Sequence, residues 1–228
     1  MMLIISDYDQ TINFRGKVDS RDRDAFASFI KQGNIIAISS SRNFESLYND
    51  VESHNIPYSY LCCNNGNAIF NHSELLDFNT LNSDELSAIN QFLPYFPEHT
   101  TIYPCNAYGF IDLINPVFIK IFLPENENFV EYVHHFNENG IETDYYKNYG
   151  LLFSKSRDKN YAGLFISQLC DIQKSDIYAI GDGDNDFTML QNFNGYSFPW
   201  RSDMVKELDI PIVSSVSHMI TDIKRVRK

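Results

Sequence analysis

The 228-residue sequence predicts an α/β protein in which a mainly parallel sheet is interrupted by an α+β insert. Three observations predict it. At both ends of the chain, apolar runs of strand length alternate with segments of helical period. Three of these runs end in clusters of carboxylate or hydroxyl side chains. Between about residues 68 and 153 the alternation gives way to short strand-like pieces punctuated by Asn, Pro and Gly.

In chain order, residues 3–6 (Leu-Ile-Ile-Ser) form the first buried strand, which ends in Asp7. A helix follows over about 20–31: Ser and Asp residues cap its start, and Gly33 stops it. Residues 34–38 make a second strand that runs into Ser39-Ser40-Ser41-Arg42. Phe44, Leu47, Tyr48 and Val51 recur at i, i+3, i+4 and i+7, the stripe of an amphipathic helix. A third strand over 58–63 is closed by the turn Asn64-Asn65-Gly66. Inside the insert, strand-like pieces at 101–105, 110–113, 117–122 and 142–146 surround helices near 83–93 and 126–139. The β/α alternation then resumes with a helix over 160–170 and a strand over 176–180. That strand ends in Gly181-Asp182-Gly183-Asp184-Asn185-Asp186, where another helix starts, and further strands are expected near Tyr196 and Ile212.

Composition narrows the function. Hydrophobic residues at 43% and charged residues at 21% are ordinary globular values, and the length allows one large domain or a domain with a subdomain. Eighteen Lys and Arg against 30 Asp and Glu leave a net charge of −12. That balance argues against a nucleic-acid partner, which needs clustered cations, and the basic tail Lys224, Arg225, Arg227, Lys228 reads as solvated. No run approaches the roughly 20 apolar residues that span a bilayer, and the apolar start has no charged leader, so neither a membrane span nor a signal peptide is expected. Cys62, Cys63, Cys105 and Cys170 contain no Cys-x-x-Cys pair and read as free thiols of a reducing cytoplasm. His134 and His135 are adjacent on a helix, point to different faces and make a poor metal clamp. No heptad or exposed apolar stripe argues for more than a monomer or a weak homo-oligomer.

The chemistry lies in the three polar clusters. In an open parallel sheet the carboxyl ends of the strands line the ligand crevice, so Asp7-Tyr8-Asp9-Gln10-Thr11, Ser39 to Arg42 and Gly181 to Asp186 would converge. Any one of them alone reads as a solvated turn; three together read as a site. Asp7, Asp9, Asp182 and Asp186 would repel one another without a cation, and an all-oxygen donor set suits magnesium. A calcium loop starting at Asp182 fails, because Phe187 and Phe193 stand where its Gly and Glu are needed. No Gly-x-Gly-x-x-Gly or Gly-Lys-Ser/Thr follows a strand, which removes the dinucleotide and P-loop readings. A receiver domain fits less well, since its acceptor Asp follows a later strand than its acidic pair.

Asp7-x-Asp9-x-Thr11, Ser40, Lys159 and Gly181-Asp182-x-x-Asn185-Asp186 resemble the four motifs of the haloacid dehalogenase (HAD) superfamily. The Asn65-Gly66 turn and the position of the insert resemble its Cof-like phosphatases, subfamily IIB, with a type-two cap. The resemblance implies a Rossmann-like HAD core of residues 1–67 and 154–228, with helices on both faces of a parallel sheet, and an α+β cap of 68–153 that sets specificity. It further implies a magnesium-dependent phosphatase of a small phosphate monoester, such as a sugar phosphate, working through an aspartyl phosphate.

By the same resemblance Asp7 is the nucleophile, and Asp9 protonates the leaving alcohol and then activates water. Magnesium would be held by Asp7, the Asp9 carbonyl, Asp182 and Asp186, the last directly or from behind another ligand. Ser40, the Ser41 backbone, Lys159 and Asn185 would bind the phosphoryl group, with Lys155 as the alternative to Lys159. The chain departs from the family pattern at Gln10 (usually Gly), at Ser39-Ser40-Ser41-Arg42 (usually Ala-Thr-Gly-Arg) and at Asn160 (usually Gly). Ser40 keeps the hydroxyl, while Gln10 is placed to narrow the pocket or touch substrate. Asp9 implies turnover rather than a persistent phosphoenzyme. A phosphomutase shares both aspartates and stays open as an alternative; a non-catalytic binding protein would have lost a nucleophile or ligand, and none is lost. Tyr103, Tyr108, Tyr145 and Tyr146 are candidates either to stack on a sugar or to fill the insert's core.

Overall fold

A computed structural model describes residues 1–226, so Arg227 and Lys228 of the basic tail lie outside the described residues. Strand β1 (Leu3–Asp7) is buried along its whole length. A small hairpin, β2 (Asn13–Phe14) and β3 (Lys17–Val18), leads into helix α1 (Ser20–Lys31). The Asp19 carboxylate caps α1 by accepting from the Arg21 amide at 2.8 Å, and Gly33, at φ +80°, turns the chain away after it. β4 (Ile35–Ser39) follows, then α2 (Phe44–Ser53), which Asn43 caps through the Ser46 amide at 3.0 Å. β5 (Tyr60–Cys63) ends in a tight turn over Asn64–Gly66 and returns as the hairpin β6 (Ala68–Asn71) and β7 (Glu74–Phe78).

The insert then contributes α3 (Ser83–Phe92), β8 (Thr101–Cys105), β9 (Phe118–Phe122), α4 (Val130–Glu138), β10 (Ile141–Tyr146) and β11 (Tyr149–Ser154). The chain closes with α5 (Lys159–Leu169), β12 (Ile177–Ile180), α6 (Phe187–Asn192), β13 (Asn194–Tyr196), α7 (Asp203–Lys206) and α8 (Val216–Val226).

Seven strands form the large sheet in the order β13-β12-β1-β4-β5-β6-β7. The five from β13 to β5 are parallel, and β6 and β7 extend the sheet antiparallel. A parallel sheet must be covered on both sides, and alternate residues of these strands divide accordingly. Ile4, Ile36, Ile38 and Tyr178 pack with Phe26, Leu47, Val51 and Ile220 of α1, α2 and α8. Leu3, Ile5, Ala37 and Ala179 pack with Ala162, Ile166 and Leu190 of α5 and α6 on the other face.

The second sheet, β10-β11-β9-β8, is antiparallel throughout. Ile119, Ile121 and Leu152 pack with Phe129 and Phe136 in a core shared with the insert's helices. Phe118, Leu151, Phe153 and Cys105 point the other way and join the apolar cluster of the large sheet.

Three expectations differ from what is observed, and one strand has no signal in the sequence. Residues 110–113 make only one bridge, between Ile111 and Cys105, because Asp112 Oδ1 accepts from the amides of Ile114 and Asn115 and turns the chain. Near Ile212 there is likewise a single bridge, to Ser197. The strand pair β6-β7 begins at Ala68, where the sequence places the start of the insert, yet Ala68 pairs with Cys63 and the hairpin continues the large sheet. Strand β11 was not distinguished from its surroundings, since its Gly-Leu-Leu-Phe run is buried on both faces and shows no alternation.

The turn after β5 depends on backbone conformation. Asn64 and Asn65 stand at φ +51° and +52°, and Gly66 at +90°. A Cβ on Gly66 would overlap the Asp158 carbonyl, which directly precedes α5. Gly66→Ala should therefore destabilise the protein by about 2 kcal/mol or more in urea unfolding. An unchanged midpoint would show that the turn and α5 are not in this contact.

Candidate active site

Asp7 pairs with Ser39 at the ends of β1 and β4, and Ser6 pairs with Ile180 of β12. The three polar loops thus leave the sheet side by side. Helix α5 brings Lys159 to them from below. Within α5, Gly163 leaves room for the Phe193 ring, which a Cβ there would strike.

The Lys159 ammonium is completely buried, and Nζ donates to Asp7 Oδ1 at 2.6 Å and to Asp186 Oδ1 at 2.7 Å. The other Asp186 oxygen accepts from the backbone amides of Asp182 and Gly183, each at 2.9 Å. A Cβ on Gly181 would overlap the Asp186 carboxylate, so only glycine lets the loop fold over this residue. Asp182 Oδ1 accepts from the Thr11 hydroxyl at 3.1 Å. Carboxylate oxygens of Asp7, Asp182 and Asp186 all lie within 4.8 Å of one another.

The charges in this cluster do not balance. Three carboxylates face one ammonium, which leaves two negative charges in a buried space. Burial, with Asp186 and Asp182 adding to it, pushes the Asp7 carboxyl up to about 8 although Lys159 pulls it down. Burial and then Asp186 push Asp182 up to about 6. Burial works against the Lys159 charge, but Asp186 and Asp7 outweigh it and hold its pKa above the ordinary value. A divalent cation would cancel the deficit, and an all-carboxylate donor set is what a hard cation accepts, so Asp7, Asp182 and Asp186 together could hold one.

Asp9 stands outside this cluster. Its carboxylate receives Arg42, with Nε donating to Oδ2 at 2.8 Å and Nη2 to Oδ1 at 2.6 Å. Ser40 is buried, and its hydroxyl oxygen accepts from the Arg42 amide at 3.2 Å. Ser41 follows it, half-buried, in the loop to α2. Asn185 reaches across to the β5 turn, its amide donating to Asn65 Oδ1 at 3.1 Å. Asn65 is itself tied to the second loop, since its amide donates to the Ser40 carbonyl at 3.0 Å.

Lys155, the alternative cation, is exposed on the rim of a cleft of about 510 Å³ also lined by Asn65, Asn185, Glu142 and Arg157. Gln10 has φ +61°, and its carbonyl accepts from the Trp200 indole at 3.0 Å. The position demands a left-handed backbone, which gives glycine its advantage there and costs Gln10 about 1–2 kcal/mol; the Gln10 residue is exposed.

Thr11, Arg42, Asp50 and Asn65 were not singled out for these contacts. Arg42 and Thr11 stand inside the motif runs, and Asn65 stands in the turn that resembles the Cof-like pattern, but no local signal assigns their partners. Asp50 carries no signal at all, being one acid on a polar helix face.

A sequence model of the haloacid dehalogenase-like hydrolases matches residues 4–111 and 110–199. The chain belongs to this family. Three similar solved structures share its fold. A HAD/COF-like hydrolase from Plasmodium vivax superposes with a TM-score of 0.77 at 15% identity, over 99% of this chain and 96% of the other. A HAD phosphatase from Bacteroides thetaiotaomicron, BT1666, gives 0.75 at 13%, over 99% and 94%. The HAD subclass IIB sugar phosphatase BT4131 gives 0.72 at 16%, over 100% and 99%. No curated protein sequence matches. HAD-like hydrolases generally use a divalent metal, and this member has the buried carboxylate cluster just described.

The raised carboxyls would set a pH dependence for any divalent cation held between them. Between about pH 4 and 8 the unfolded chain gives up the Asp7 proton while the folded protein keeps it, so metal-free stability falls as pH rises through that window. Magnesium would displace the same proton. Its addition should therefore raise the melting temperature more at about pH 8 than at about pH 5, with proton release on titration. An equal increment at both pH values would place the metal elsewhere.

Proposed function

We propose that the protein is a magnesium-dependent phosphatase that hydrolyses a small phosphate monoester through an aspartyl phosphate on Asp7. The observation that carries this reading is the Asp7–Lys159–Asp186 arrangement beside Asp182. It pins one oxygen of a strand-end carboxylate beside the Lys159 ammonium, and Asp182 and Asp186 could hold the divalent cation that would join the ammonium in neutralising a phosphoryl charge.

The residues divide the work as follows. An Asp7 oxygen attacks phosphorus, and the ester oxygen leaves with a proton from Asp9. Water then attacks the phosphorus of the aspartyl phosphate, gives its proton to Asp9 and releases inorganic phosphate, which restores Asp7. Ser40, the Ser41 amide, Lys159 and Asn185 take the phosphoryl oxygens. Held by Asp7, the Asp9 carbonyl, Asp182 and Asp186, magnesium would supply further neutralisation of those oxygens.

The insert, residues 68–153 in the sequence reading, acts as the cap that excludes water and contacts the leaving group. The polar face of its sheet supports that role: Lys120 points from β9 toward Glu45 of α2, Nζ to Oε2 3.9 Å, and Glu142 lines the 510 Å³ cleft with Asn185. The sugar phosphatase among the similar structures favours a sugar phosphate as substrate. Four unpaired cysteines, three of them buried, suit a reducing cytoplasm.

Phosphate release from a panel of monoesters, with and without magnesium, tests the proposal. Asp7→Asn should abolish release. Asp9→Asn should slow it by about 10² to 10⁴, the span of a positioned acid–base group. Wild-type turnover in the Asp7 variant would exclude the aspartyl phosphate, and isomerisation of sugar monophosphates without release would make the protein a phosphomutase.

A further inference from the structure

The acid–base carboxylate of this mechanism is the one site aspartate that the buried cluster does not restrain. The Asp9 side chain is 43% exposed, and an exposed carboxylate samples several rotamers, most of them useless for delivering a proton to one oxygen. Arg42 removes that freedom. Its guanidinium meets the carboxylate as a planar fork, with contacts of 2.6 and 2.8 Å, the geometry that only arginine offers.

The arginine is in turn held by further contacts. Nη1 donates to Asp50 Oδ2 at 2.7 Å, and the guanidinium carbon lies 5.1 Å from the centre of the Tyr8 ring. The Arg42 amide donates to Ser40 Oγ, and its carbonyl accepts from the Asn64 amide at 2.9 Å. Asp50 belongs to α2 and also accepts from Asn13 Nδ2 at 3.3 Å, so the fork is anchored to a helix and to β2 at once.

We infer that Arg42 is the positioning residue for Asp9, held in place by Asp50, and that it fixes the orientation from which Asp9 exchanges its proton. The inference rests on the reading of Asp9 given above. Arginine neither gives nor takes a proton here. When one Asp9 oxygen carries the proton it stops accepting from Arg42, while the other oxygen stays on the fork and keeps the orientation. Once the proton has gone to the ester oxygen, both contacts close again. Asp9 is thus held by at least one hydrogen bond through both halves of the reaction.

Steady-state kinetics with 4-nitrophenyl phosphate test this in four variants: Asp9→Asn, Arg42→Ala, Arg42→Lys and the Asp9→Asn/Arg42→Ala double. Arg42→Ala should lower kcat about 10- to 100-fold, the effect of a misplaced reacting group, with KM within about twofold. Arg42→Lys should stay low, because an ammonium cannot form the fork. Millimolar guanidinium should restore part of the Arg42→Ala rate. The double variant should be no slower than Asp9→Asn alone, since a positioning residue has nothing left to position.

Losses that multiply in the double variant would overturn the inference. So would a raised KM at unchanged kcat, which would mean that Arg42 binds substrate, or full activity in Arg42→Lys, which would reduce its role to charge. Asp50→Asn, which leaves the fork in place but loosens its anchor, should show a smaller kcat loss that also vanishes in the Asp9→Asn background; it decides the matter if Arg42→Ala does not fold. Wild-type turnover by Asp9→Asn would instead sink the underlying reading of Asp9.

Discussion

A fully buried ammonium between two carboxylates is the constraint around which the rest of the site is built. Removing Lys159, Asp7 and Asp186 from water costs several kcal/mol per ion, and only short, well-aimed contacts offset that. Each neighbouring element serves this requirement. Gly163 makes room in α5 for the Phe193 ring, Gly181 makes room for the Asp186 carboxylate, and Gly66 lets the β5 turn pass over the Asp158 carbonyl. The two backbone amides on Asp186 supply the hydrogen bonds that a second cation would otherwise have to provide. Replacing a buried ion triad by well-packed apolar side chains is often neutral or stabilising, so a buried triad of this kind is weak evidence for stability and points to chemistry.

The site has two electrostatic zones, and their difference matters. At the base, carboxylates outnumber the ammonium, Asp7 keeps its proton near neutral pH and a divalent cation is invited. At the rim, one carboxylate meets one guanidinium in partial contact with water, and the local charges balance before Asp50 is counted. The first zone suits a phosphoryl group with its counter-ion. The second suits proton exchange with an alcohol or with water. Both lie at the ends of adjacent parallel strands, close enough for the Asp9 charge to add to the rise of the Asp182 carboxyl.

The insert is joined to the large domain by more than its two connections. Phe118, Leu151 and Phe153 of its sheet share an apolar cluster with Phe44 and Phe70. Tyr108 packs edge-on against both of those rings, 5.6 and 5.3 Å between centres. The result is a small sheet with one face committed to its own helices and the other divided between apolar contact and polar groups such as Lys120 and Glu142.

Strand and helix order at both ends of the chain was legible in the sequence, because strands buried on both faces read as unbroken apolar runs and the flanking helices carry caps and stripes. The residues of the carboxylate cluster were legible for a related reason: a strand-end motif keeps its members next to one another along the chain. Where local signals are weak the sequence was silent. The hairpin β6-β7 joins the large sheet rather than the insert through the left-handed backbone of Asn64, Asn65 and Gly66, and a turn signal says that the chain reverses but not which sheet it rejoins. Residues 110–113 have strand composition, yet Asp112 turns them into a loop. The pairing of Arg42 with Asp9 and Asp50, and of Asn185 with Asn65, was out of reach for the same cause. The sequence by itself determined which residues carry charge and hydroxyl groups at the strand ends. Only the tertiary structure decided which carboxylate received the lysine and which the arginine, since that choice depends on the close approach of α5, α2 and the β5 turn, set by packing between segments distant in the chain.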